Sequence, residues 1–117
     1  MIAVWLRESA VGSWVFAFTL TQAVEVPIWM RAHTKPLRVV KALGASAITH
    51  PLLWWIFMPM WHGSYWSSIV VGEALVIAIE AAYARALGVE RPLAWSFVAN
   101  AASTAVGFAV YYALGWI

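Results

Sequence analysis

Four apolar stretches of about 22 residues each, joined by connections of five or six residues, leave this chain few folds to choose from. A helix needs about 20 residues to cross the hydrocarbon core of a bilayer. The stretches run over residues 9–30, 37–58, 65–87 and 93–116. Backbone groups in lipid must bond within their own segment, so helices are the reading that fits these lengths. A β-barrel would need alternating strands of about 10 residues, and none is visible. Connections this short make consecutive helices antiparallel neighbours. The expected fold is therefore an all-α integral membrane protein, an antiparallel four-helix transmembrane bundle. Residues 1–117 are read as a single membrane-embedded domain. The composition agrees, with 64% hydrophobic and only 10% charged residues, against about 25% charged in a soluble domain.

Lys and Arg set the orientation. Arg31, Lys35, Arg38 and Lys41 flank the first connection, and Arg85 and Arg91 flank the third. Arg7 alone lies on the other side. The positive-inside rule places connections one and three in the cytoplasm and both termini on the outer side, as in a bacterial inner (plasma) membrane. Trp5, Trp54, Trp55, Trp61, Trp66 and Trp116 then fall toward the outer interface, and Trp29 and Trp95 toward the inner one. Met1–Leu6 lacks a basic leader region and no A-x-A site follows, so a cleavable signal peptide is not expected. Gly88 suits a helix end, and Pro36 and Pro92 suit first turns.

Five polar residues interrupt these spans: Glu25, His50, Glu73, Glu80 and Asn100. A charged group at the bilayer centre costs roughly 2.5–3.5 kcal/mol on insertion scales, so such residues face the bundle interior and pair, bind ions or carry protons. Counting at 1.5 Å per residue puts Glu25, Glu80 and Asn100 in an inner layer, and His50 and Glu73 in an outer one. Glu73 and Glu80 are seven apart, on one helix face. Thr21, Gln22, Ser46, Ser96 and Thr104 lie one turn from these groups and can donate hydrogen bonds. Pro27 and Pro51 sit just beyond Glu25 and His50, where each removes a backbone bond and kinks its helix. Structural alternatives compete. Glu25 could pair with Lys41, and Glu80 with Arg85, Lys41 or Tyr83; Glu73, with no basic residue at its depth, is expected to pair with His50 or to be protonated and neutral. Asn100 could serve packing alone. His33 and His62 read as solvated surface residues. Ala74, Ala78, Ala82 and Ala86 on the third helix, and Ala99, Ser103 and Gly107 on the fourth, read as small-residue packing faces.

A faint internal repeat relates Glu25 and Lys35-Pro36-Leu37 to Glu80 and Arg91-Pro92-Leu93, as parallel repeats about an axis along the membrane normal. With no cysteine, thiolate chemistry, disulfides and iron–sulfur clusters are excluded. No cofactor is expected. A divalent cation held by His50 and Glu73 is conceivable, but there is no H-E-x-x-H or E-x-x-H spacing. Haem finds no pair of histidines at one depth. No G-x-S-x-G or phosphate-binding loop is present, so neither nucleotide nor nucleic acid is an expected partner. The bilayer, further copies of the chain and other membrane subunits are. The sequence points first to a buried Glu/His/Asn site that binds or relays a proton or cation in an oligomer. An accessory subunit of a larger complex comes second. An intramembrane enzyme with a lipid-open cleft around His50 comes third, and the sequence leaves open whether the chain is an enzyme at all.

Overall fold

The computed structural model describes Val4 and residues 8–116; Trp5 and Arg7 lie outside the described residues. Among those residues the chain is all-helical, and four helices are long and apolar enough to cross a membrane. We label them α1 (Ala10–Ala32), α2 (Arg38–Met60), α3 (Tyr65–Ala86) and α4 (Pro92–Ala113). Each packs on its sequence neighbours, and α4 closes the ring against α1. This is a helical bundle of a multi-pass membrane protein.

Local chemistry sets the ends. Ser9 and Ser64 cap α1 and α3, their hydroxyls accepting from the Gly12 and Ser67 N–H groups, which satisfies donors left open at a helix start. Past the end of α3, Gly88 takes φ +85°, and the Val89 N–H returns to the Ala84 carbonyl at 3.0 Å. Only glycine adopts that conformation without strain. Pro92 opens α4. Pro36 does not open α2, which begins at Arg38 after Leu37 in the left-handed region, φ 61°. Arg91 occupies the same position before α4, φ 54°. The two connections therefore correspond at Leu37 and Arg91, one conformation shifted from the alignment the prolines suggested. Gly115, φ +72°, turns the chain back after α4, and Trp116 packs its ring on Phe16 and Tyr111.

The backbone stays α-helical through Pro27, whereas α2 widens into a π-helical stretch over Leu53–Phe57, two residues after Pro51. Such bulges are rare and relieve an interrupted hydrogen-bond ladder. This stretch lies against α3 at Gly72, where a Cβ would come within 2.8 Å of Leu53 Cδ1. Gly44 on α2 likewise gives room to Tyr83: a Cβ there would collide with the phenol oxygen. The Tyr83 hydroxyl donates to the Lys41 carbonyl at 2.9 Å, so it is not a partner of Glu80.

The core is small and tight. Trp29 is fully buried, surrounded by Ala42, Ala45, Ala84 and Ala99, all 0–1% exposed. Trp29 is thus a core residue and not a member of an interfacial belt. On α3 the buried line is Gly72, Val76, Glu80 and Ala84, whereas Ala74, Ala78, Ala82 and Ala86 face outward. The helix presents two small-residue faces. Turning Glu80 toward lipid would carry the larger penalty, and that decides which face goes in. On α4 the small-residue face does turn inward, with Ala99 buried and Ser103 and Gly107 half-buried.

Candidate functional site

The carboxyls of Glu25 on α1 and Glu80 on α3 meet across the centre of the ring, within hydrogen-bonding reach of each other. Both residues are 1% exposed. Among the described residues neither has a Lys or Arg partner. Lys41, the cation expected for Glu25, instead donates from Nζ to the Thr34 carbonyl.

Four donors hold the pair. Ser46 Oγ donates to Glu25 Oε1 at 3.0 Å, and Ser103 Oγ donates to Glu25 Oε2. Thr49 Oγ1 donates to Glu80 Oε2, and Asn100 Nδ2 donates to Glu80 Oε1 at 2.9 Å. Asn100 also donates to the Ser96 carbonyl, and Ser96 Oγ donates to the Ile77 carbonyl on α3. The Trp29 indole N–H contributes to the field at Glu80 but makes no hydrogen bond of good geometry.

The bonding is crossed. Each carboxyl takes one donor from its own helix pair and one from the other. Ser46 follows Glu25 by 21 residues and Asn100 follows Glu80 by 20. Thr49 and Ser103 stand three residues past Ser46 and Asn100. Exchanging Glu25 with Glu80, Ser46 with Asn100 and Ser103 with Thr49 reproduces the pattern. The faint sequence repeat therefore has a counterpart in the hydrogen bonds.

The pair opens onto a cavity of about 170 Å³ that Glu73, His50 and Thr104 also line. The third carboxyl, Glu73, is half-buried and shares the cavity wall with Thr104 on α4. No hydrogen bond joins it to His50. The His50 ring is 8% exposed, stacks on Trp54 at 6.0 Å and sits near Phe18 at 5.4 Å, with Nδ1 unpartnered. Of the five polar residues, Glu25, Glu80 and Asn100 thus form one bonded cluster. Glu73 and His50 line its cavity without bonding each other. Among the described residues no three His, Asp or Glu side chains converge as metal ligands. A groove of about 400 Å³ between α2 and α3 reaches Thr49 but none of the carboxyls and not His50.

Thr49 and Ser103 were not singled out as site residues from the sequence. Their signal is the spacing of three from Ser46 and from Asn100, which sets each pair on one helix face. Gln22, singled out as a donor toward the site, instead donates to the Leu43 carbonyl at 3.2 Å.

His62 is exposed, but His33 is not the solvated residue expected. The helix runs two residues further than the sequence suggested and carries His33 against Trp29 and Tyr83, at 2% exposure. Burial, with a contribution from Lys41, lowers its pKa below the usual 6.5. Folded His33 then binds its proton more weakly than the unfolded chain does, so stability is whole above about pH 6.5 and falls as pH drops below that value. Unfolding followed between pH 7 and pH 5 should show this decline, and His33→Phe should flatten it. An unchanged slope in the variant would remove His33 as its source.

Comparison of the chain with protein-family models, with curated proteins and with solved structures found no significant match.

Proposed function

We propose that this chain is a proton-binding relay of a bacterial inner membrane, with Glu25 and Glu80 sharing the proton. The reading includes an antiparallel bundle with both termini on the outer side, as the distribution of Lys and Arg favours. The observation that carries it is the contact between two buried carboxyls that have neutral donors and, among the described residues, no cation beside them. Two carboxyls this close do not both ionise, so one proton stays with the pair. The second site can gain or lose a proton at modest cost, because Ser46, Ser103, Thr49 and Asn100 stay in place to stabilise the charge. Glu73 stands between this pair and the wider cavity at the Tyr65 end and serves as the exchange point. A proton suits the site better than a divalent cation, which needs more converging ligands than the described residues bring together. The cavity at the pair holds only about 170 Å³, so oligomerisation is part of the reading.

The test is purified protein in vesicles with an entrapped pH dye, driven by an imposed potassium diffusion potential. Wild type should acidify or alkalinise the lumen according to the sign of the potential. Glu25→Gln and Glu80→Gln should each reduce the rate by more than about tenfold. Gln variants that fold and move protons at the wild-type rate would overturn the proposal.

A further inference from the structure

We propose that the wide cavity at the Tyr65–Trp116 end of the bundle binds a hydrophobic organic cation, with Glu73 as its counter-ion. The cavity measures about 470 Å³, within the range of about 300–1,000 Å³ usual for organic ligands. Its walls come from every side of the ring: Ser13 on α1, Trp54 and Met58 on α2, Tyr65 on α3, Tyr111 on α4, and Trp116 beyond α4. Trp116 holds its position through Gly115 and its backbone bond to the Tyr111 carbonyl at 2.8 Å. Four aromatic rings thus line one space, and a cation over an aromatic face is attracted by the ring quadrupole.

Glu73 lies at the deep end and lines both this cavity and the narrower one. Among the described residues that line the wide cavity it is the one carboxyl, and no Lys, Arg or His lines it. The combination selects a ligand class. An anion would face a carboxylate with no compensating charge. A neutral apolar ligand would use the rings and leave Glu73 beside a dry surface, at a desolvation cost. A small metal ion would find one ligand group and four rings it cannot use well. A quaternary or protonated amine with an apolar body uses the rings and the carboxylate together. The inference does not depend on the Glu25–Glu80 proton pair, which is tested in vesicles with no organic cation present.

The probe is benzyltrimethylammonium, compared with its uncharged carbon isostere, neopentylbenzene. Binding is followed by calorimetry and by tryptophan fluorescence of the full chain in mild detergent. Wild type should bind the cation saturably and at least about tenfold more tightly than the isostere. Glu73→Gln should weaken cation binding by more than about tenfold and leave the isostere unaffected. Tyr111→Leu should weaken the cation several-fold with Glu73 intact, which guards against a Gln variant that fails to fold. No saturable binding by wild type, equal binding of cation and isostere, or an unchanged affinity in a folded Glu73→Gln protein would each overturn the assignment.

Discussion

Replacing Trp29 with alanine should destabilise the bundle by about 3 kcal/mol or more, the largest effect expected from a single truncation in this chain. The indole is fully buried, and its neighbours on the other three helices are Ala42, Ala45, Ala84 and Ala99. Alanines cannot change rotamer to fill a gap. The helices would have to close by sliding, and the Glu25–Glu80 cluster next to them resists that through bonds to both α2 and α4. Between helices in lipid the loss is one of dispersion contacts rather than of hydrophobic burial, so a persistent void is the main term. Reversible unfolding in mixed detergent micelles gives the value. A loss below about 1 kcal/mol would mean that the bundle collapses around the missing ring.

Glu80→Leu and Glu80→Gln should separate fold from function. Leucine removes the acceptor for Thr49 and Asn100 and the carboxyl that faces Glu25. Interhelical hydrogen bonds in bilayers are worth about 0.6 kcal/mol each on average, but groups left unpaired when buried cost about 1–3 kcal/mol. Thr49 and Asn100 fall back on the Ala45 and Ser96 carbonyls and Glu25 keeps Ser46 and Ser103, so the loss is mainly that of the bonds themselves, about 2 kcal/mol. Glutamine keeps an acceptor oxygen and adds an amide that can donate to Glu25, so its cost should stay below about 1 kcal/mol. Proton movement, under the proposed function, should disappear in both. Unfolding and vesicle assays on the same two variants decide the matter. A Leu variant as stable as the Gln variant would mean that the hydrogen bonds do not hold the helices together.

The spans were legible because length and apolarity alone dictate them, and the boundaries moved by at most about three residues. The depth count also brought Glu25, Glu80 and Asn100 to one level, since rise per residue is nearly constant in a helix. Facing was harder to read. The third helix carries small residues along two lines, and small-residue spacing favours neither; it is Glu80 that brings Gly72 and Ala84 in with it and leaves Ala78 out. Ser103 belonged to a packing face by spacing and is also a donor to Glu25. A hydroxyl is small enough to serve both ends, and sequence spacing does not tell them apart. His33 was hidden by the end of α1, because burial there depends on Tyr83 arriving from a helix 50 residues away.

The crossed hydrogen bonds make the order of membrane insertion matter. When α1 and α2 enter the bilayer, Glu25 has Ser46 but waits for Ser103, which has yet to be synthesised. Thr49 meanwhile has no carboxyl to serve. The first half of the chain is therefore an incomplete object, held in lipid with an acidic group half-clothed, until α3 and α4 arrive with what it lacks. Because the two halves carry matching sets of groups, a second copy of the first half could supply Thr49 where Ser103 would otherwise stand. The same two-way dependence that completes one chain is also what would let two halves, encoded separately, find each other.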